Sequence, residues 1–249
     1  MNTKHTLAVL FTLSFSLFAQ ASRRPAALDE LVDYVIQAPD QGEAGTCLYI
    51  SSTGSMEILL NKKYGLKNQR LGDRFDLSEM YLNFQKDWTK TEHRTVDAVL
   101  KFNWRKAIHE STLPYNYNED EVWDKPPGFA SLSKMTVPQV ATTRLFVKGK
   151  DKWSTNVLVT SDVEKIKQAL WDHKSPVLVN YNDDGFWHSI NIVGYDDRVD
   201  GTCYEVTQKE CQKTKGAFYV RDHFGVAIEL RDSDWFRAKG NAASVIRFK

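Results

Sequence analysis

Gln41-Gly42-Glu43-Ala44-Gly45-Thr46-Cys47 is a run of small and polar residues that delivers one cysteine to the start of a helix. The stretch that follows, Leu48 to Tyr64, is rich in helix formers. It carries Met56, Ile58, Leu59 and Leu60 as apolar positions and meets Gly65 as a stop. A thiol at a helix N-terminus sits at the positive end of the macrodipole, a setting that favours thiolate. Gly42 and Gly45 allow a tight turn and a close approach of backbone to substrate. Gln41 offers an amide N–H that can share an oxyanion with the backbone N–H of Cys47.

Two later stretches supply partners. Trp187-His188-Ser189-Ile190-Asn191-Ile192-Val193-Gly194-Tyr195-Asp196 places a histidine at the head of an apolar strand that ends in a Gly-Tyr-Asp turn. Phe218-Tyr219-Val220-Arg221-Asp222-His223-Phe224-Gly225 is a strand leading into an acid. Cys47, His188 and Asp222 thus follow the chain order of a nucleophile, its base and the base's orienting acid.

In these stretches the chain resembles the papain-like cysteine peptidases. In that family a Q-G-x-C-G-S-C-W run opens the central helix, and H-A-x-x-x-V-G-Y and N-S-W-G runs supply the partners. Three further segments are similar to the family in the same order: Asp76-Leu77-Ser78-Glu79-Met80-Tyr81-Leu82, Ala107 to Tyr115, and Asp162 to Leu170 followed by Ser175-Pro176-Val177. The resemblance implies Cys47, His188, Asp222 and Gln41 as catalytic residues. It also implies a cleft between two lobes, with Gly45, Trp187 and Phe224 lining the substrate site.

The chain also departs from that pattern, and each departure has a chemical meaning. Ala44 stands where the family often has a disulfide cysteine, and no cysteine between 48 and 202 could pair with one. The family's C-N-G-G stretch has no counterpart between Leu82 and Val99, so substrate preference does not carry over. Leu48 and Phe224 replace tryptophans, and the bulky Trp187 narrows the leaving-group side. Asp222 replaces an asparagine. A carboxylate orients His188 as an amide does, but also favours imidazolium.

The first 21 residues read as a cleaved export signal: Lys4 and His5, an apolar run from Leu7 to Phe18, then Ala19-Gln20-Ala21. That run is too short to span a bilayer, and no second candidate follows. Residues 22–249 then form one domain, with Ser22 to Pro25 as an exposed arm. In an exported protein, Cys203 and Cys211 close a short loop as a disulfide. No histidine lies between Asp196 and Lys215, so those cysteines lack the ligands for zinc, and no metal or cofactor is expected. A hydrophobic share of 42% suits a globular core, and a net charge of +1 argues against nucleic acid or an anionic membrane as an obligatory partner.

Residues 28 to about 125 read as helical: Ala27 to Ile36, Cys47 to Tyr64, Ser78 to about Trp88, and Val96 to Arg105. An acidic loop, Asn116 to Asp124, precedes the breaker Pro126-Pro127-Gly128. From about residue 130 the pattern changes to short β runs: 142–147, 155–159, 177–181, 188–194, 217–221, 226–230 and 243–248. One helix interrupts them, opened by Ser161 as N-cap with Glu164 as its capping-box partner, and buried through Val163, Ile166 and Leu170. The fold class is α+β, a two-lobed papain-like arrangement of a helical lobe and an antiparallel β lobe or barrel. The leading function is an exported cysteine peptidase acting on peptide or protein substrate. Two alternatives stay open: an amidase for non-protein or cell-wall amides, and a binding module that uses the cleft without turnover.

Overall fold

A computed structural model describes residues 24–42, 44–85, 105–116, 124–147, 158, 160–183, 186–201, 215–223 and 228–249. The export signal, the helix expected over 96–105 except Arg105, and most of the 155–159 strand lie outside the described residues. So do Cys203, Cys211 and Phe224.

The central helix α1 spans Cys47–Tyr64, as the sequence pattern expects. Gly65 ends it in the left-handed conformation (φ 67°), and the Leu66 N–H reaches back to the Asn61 carbonyl at 2.8 Å. Every residue from Leu48 to Asn61 is buried. Leu48, Met56, Leu59 and Leu60 pack with Phe75, Leu77 and Leu82 on one side and with Leu178, Ala242 and Ile246 of the sheet on the other. A helix enclosed on all sides has no solvent face, which is why Ser51, Ser55, Glu57 and Asn61 are buried with the apolar residues. A short helix α2, Glu79–Phe84, follows; Ser78 caps it by accepting the Tyr81 N–H at 3.3 Å.

The β lobe is one antiparallel sheet. Its strands are β1 (Ala27–Leu28), β4 (Val140–Val147), β5 (Val177–Asp183), β6 (Phe186–Asp200), β7 (Lys215–Arg221), β8 (Glu229–Asp232) and β9 (Gly240–Phe248). The order is β4-β9-β5-β6-β7-β8, with β1 on β6 through Ala27↔Asp196 and Leu28↔Tyr195. Among the described residues the end strands β4 and β8 do not pair with each other. A small separate pair joins β2 (Lys106–Ala107) to β3 (Met135–Thr136). Helix α3, Thr160–His173, buries Val163, Ile166, Ala169 and Leu170 against the sheet's Val177, Val179, Ile192 and Val245. Each valine, leucine or isoleucine side chain so buried contributes roughly 1.5–3 kcal/mol.

Four expectations change. Ala27 to Ile36 is not a helix: its first two residues join the sheet and Val32–Tyr34 make one 3-10 turn. Its apolar residues Leu28, Leu31 and Val35 are buried all the same, so the periodicity marked a core contact rather than a helix. Ser161 is not a cap, because α3 already includes Thr160. The arm before the fold is tied down at Arg24, whose guanidinium donates to Glu164 and Asp197 and lies over the Tyr195 ring. A further helix, α4 (Ser233–Lys239), sits between β8 and β9 and buries Phe236.

Candidate active site

The loop before α1 is held from two directions. The Gln41 N–H donates to the His223 carbonyl of the β lobe at 3.2 Å, and the Ala44 N–H donates to the Gln41 carbonyl at 3.2 Å. The Tyr115 hydroxyl lies 2.5 Å from Thr46 Oγ1 and 3.5 Å from the Gln41 carbonyl, so one phenol clasps both ends of the loop. Gly42 takes a left-handed φ of 55°, which glycine adopts at no steric cost. Gly45 does not: a Cβ there would meet nothing within 4 Å, so the space above it is open. Ala44 is buried with Met80, Tyr81, Phe84, Ile108 and Leu113, so apolar packing stands where the resembled enzymes have a disulfide. Gln41 itself is buried, and its Oε1 finds no hydrogen-bond donor among the described residues.

Cys47 opens α1 and is partly exposed; its thiol faces the Trp187 carbonyl at 4.0 Å. Trp187 precedes His188 on β6, where His188 pairs with Tyr181 of β5 and is buried. Strand β7 runs beside β6 up to the pair Asn191↔Arg221, so the next residue, Asp222, leaves the ladder next to the start of β6. There its Oδ1 accepts the His188 Nε2–H at 2.7 Å and the His223 backbone N–H at 2.7 Å. An ionised carboxylate only accepts, so the proton on that bond belongs to Nε2, and Nδ1 is the ring nitrogen turned away from Asp222.

The electrostatics are those of a charged pair kept out of water. Burial opposes charging of His188, yet the hydrogen bond to Asp222 and the neighbouring Cys47 outweigh it and raise its pKa to about 9. Burial likewise opposes ionisation of Asp222, but His188, Arg231 and His223 hold its carboxyl well below the usual range. His223 goes the other way: burial, then the charge of His188, lowers it to about 3. That neutral ring donates from Nε2 to the Ser189 carbonyl at 2.6 Å, close to Ser51 Oγ at 3.1 Å. Ser51 also donates to the Ser189 carbonyl at 2.6 Å, and the Asn191 amide reaches the Ser51 carbonyl and Ser55 Oγ. These bonds make a polar seam between α1 and β6 behind the site.

Beside the seam, Arg221 crosses from β7 to α1. It donates to the carbonyls of Ile36 and Ile50 and to Glu57 Oε2 at 3.1 Å. Gly54 makes room for it, since a Cβ there would lie 2.1 Å from the guanidinium.

The sequence-predicted residues Cys47, Trp187, His188 and Asp222 therefore meet at one place, with Gln41 anchored to the same corner of the β lobe. Gly45 lies on the same loop, facing open space. Four residues around the site have no role that a reading of the sequence assigns: Ser51 and Arg231, which lie outside every motif, and Tyr115 and His223, which lie within the quoted stretches. Donor atoms of His188, Asp222 and His223 lie within 4.8 Å of one another, a spacing a metal ion can use. Asp222 already accepts from His188, His223 and Arg231, so a cation there would displace these donors and face the Arg231 guanidinium.

No family model and no curated protein matches the chain in sequence. Solved structures do match in fold. The cysteine protease and lectin-like domains of Cwp84, a surface layer associated protein of Clostridium difficile, align over 91% of this chain at 17% identity and TM-score 0.60; the chain spans 53% of that one. The bromelain protease from Ananas comosus aligns over 90% of this chain and 100% of its own, at 12% identity and TM-score 0.56. Digestive procathepsin L2 proteinase from Tenebrio molitor larval midgut covers 92% of this chain at 16% identity and TM-score 0.54, with 70% of its own length matched. The chain therefore has the two-lobed fold of the papain-like cysteine proteases.

Proposed function

We propose that the protein is a cysteine peptidase that hydrolyses peptide bonds through a thioester on Cys47. The observation that supports this is the buried His188–Asp222 hydrogen bond of 2.7 Å, next to the Trp187 carbonyl that the Cys47 thiol faces at 4.0 Å. In this reading the Cys47 thiolate attacks the substrate carbonyl carbon. The backbone N–H of Cys47 and the Gln41 amide receive the oxyanion. His188, as imidazolium, gives its Nδ1 proton to the departing amine, and the C–N bond breaks to leave the thioester. Water then attacks the thioester while His188 takes its proton, the C–S bond breaks, and the acid product leaves with the thiolate–imidazolium pair restored. Asp222 keeps the ring oriented throughout, and no cofactor takes part. Gly45 and Trp187 line the cleft.

The same reading places the protein outside the cytoplasm, with residues 1–21 removed and Cys203 paired with Cys211. That Cwp84 is described as surface layer associated supports this location. Among the described residues, no helix is long and apolar enough to cross a membrane. Mass mapping of non-reduced peptides from exported protein tests the disulfide, and two alkylatable thiols would contradict it.

The decisive experiment combines covalent labelling with a peptide library. A thiol-directed epoxide should modify Cys47 and abolish cleavage, and Cys47→Ala should fold normally without turnover. Hydrolysis by Cys47→Ala would sink the thioester mechanism. An intact, labelled Cys47 with no cleavage of a broad library would favour the binding module or the non-protein amidase.

A further inference from the structure

Strand β8 contributes a charged side chain that the proposed mechanism does not use. Arg231 is fully buried, and its guanidinium is shared among three neighbours. One Nη2 hydrogen bond goes to Asp222 Oδ2 and another to Glu229 Oε1 at 2.5 Å; Nη1 donates to the Tyr181 hydroxyl at 3.2 Å. Tyr181 also packs edge-on against His188, with ring centres 5.3 Å apart. A line of groups therefore runs from Glu229 through Arg231 and Asp222 to His188, and from there to Cys47.

This line bears on what a carboxylate does in place of an amide. An amide offers one acceptor oxygen and no charge. A carboxylate offers two equivalent oxygens and a full negative charge, so it can turn about its own bond and grip an imidazolium too firmly. Here Oδ2 is taken by Arg231, which leaves Oδ1 alone to face Nε2. The guanidinium also sets a positive charge against the carboxylate on the side away from the ring. Glu229 is only half-buried, and its charge tempers the cation from the outer side.

We infer that Arg231 is a positioning residue for His188: it fixes Oδ1 of Asp222 on the ring and offsets the carboxylate's charge, so that Asp222 serves the imidazole as a neutral amide would. The inference rests on the peptidase reading and says how that site works with an acid. The groups that face His188 are Cys47 from α1, Tyr181 from β5, Asp222 and His223 after β7, and Arg231 with Glu229 from β8.

The test follows the alkylation rate of Cys47 by iodoacetate against pH. This anionic reagent reports the imidazolium beside the thiolate and needs no peptide substrate. Peptide turnover is the second readout. Arg231→Met should move the alkaline limb upward by roughly one pH unit, because the cation that opposes imidazolium is gone. It should lower kcat roughly 10- to 100-fold with KM unchanged, because the carboxylate is no longer held in one orientation. In an Asp222→Asn background, adding Arg231→Met should again move the limb upward. If Arg231→Met alone fails to fold, the Asp222→Asn protein with and without Arg231→Met carries the comparison, since the double variant removes both buried charges together. An alkaline limb indifferent to Arg231 in either background overturns the inference and leaves the arginine a structural group only. A wild-type profile showing one isolated thiol titration, with no turnover, would sink the Cys47–His188 pairing itself and Arg231's role with it. That outcome is read from wild type alone, so the two failures are distinct.

Discussion

His188 stands under two opposed influences, and activity should follow their balance. Burial favours the neutral ring, while Asp222 and Cys47 favour the charged one and prevail, raising its pKa to about 9. The alkaline limb of kcat/KM should therefore fall near pH 9. Asp222→Asn keeps an acceptor on Nε2 but removes the charge, so this limb should move to lower pH. The same change leaves Arg231 without its main anion and should cost on the order of 3 kcal/mol of stability, read by urea unfolding. Asp222→Ala loses acceptor and charge together and should reduce turnover further, toward the ~10²–10⁴-fold range of acid–base assistance. Identical profiles for both variants would mean that Asp222 has no hold on His188 in solution. Under the proposed mechanism Gln41→Ala removes the second oxyanion donor and should lower kcat by roughly 10²–10³-fold with little change in KM. Of these residues, Cys47, His188, Asp222 and Gln41 stand out in the sequence because chemistry restricts which side chains can act as nucleophile, base, orienting acid and oxyanion donor. Arg231 was not. It reads as one charge in Glu229-Leu230-Arg231-Asp232, and only the pairing of β7 with β8 brings it to Asp222.

Among the elements, α1 was legible in its bounds but not in its surroundings. Cys47, the helix formers and Gly65 mark both ends. That its serines point into a seam with Ser189, Asn191 and His223 depends on a strand far along the chain, and no local pattern records it. Gly54 is the sharpest case. In an isolated helix Gly54→Ala would stabilise by about 1 kcal/mol. Here the added methyl would collide with the Arg221 guanidinium, which would have to give up the Ile50 carbonyl or Glu57. We expect a net loss of stability in urea melts, and an unchanged or raised midpoint would show that Arg221 can relocate. The 27–36 segment fails for the converse reason. Its apolar spacing satisfies a helix, but pairing with Asp196 and Tyr195 offers Ala27 and Leu28 a better use of their backbone groups.

At the scale of the whole molecule, buried ionisable groups set a window of stability. Burial raises Glu110 to about 7, above its unfolded value, so its contribution is complete below about pH 4.5 and fades as pH rises through 7. His188, also raised, loses its contribution as pH climbs through about 9. His223 acts in the opposite sense: held neutral down to about 3, it contributes above about pH 6.5 and less as pH falls toward 3. Asp222, with its lowered pKa, adds to that acid-side loss. The melting temperature should therefore peak between about pH 5 and 7. Glu110→Gln removes the loss that accrues between about pH 4.5 and 7 and should move the maximum toward pH 7; a maximum that stays in place would remove Glu110 from the account. The α+β class and the two-lobed division were legible from helices early and strands late; α4 and the sheet order were not, since both depend on long-range pairing.

The seam behind the site has a mechanical consequence. Apolar surfaces tolerate sliding, because contact area changes slowly as one face shifts over another. A row of hydrogen bonds such as Ser51 to Ser189, Asn191 to the Ser51 carbonyl and Asn191 to Ser55 behaves as a keyed joint that engages at one offset and at no other. Asn191→Leu, which fills the same space without the teeth of the key, should leave both lobes folded and docked yet let them drift out of register. Reactivity of Cys47 should then be lost at denaturant concentrations where helix and sheet are still intact.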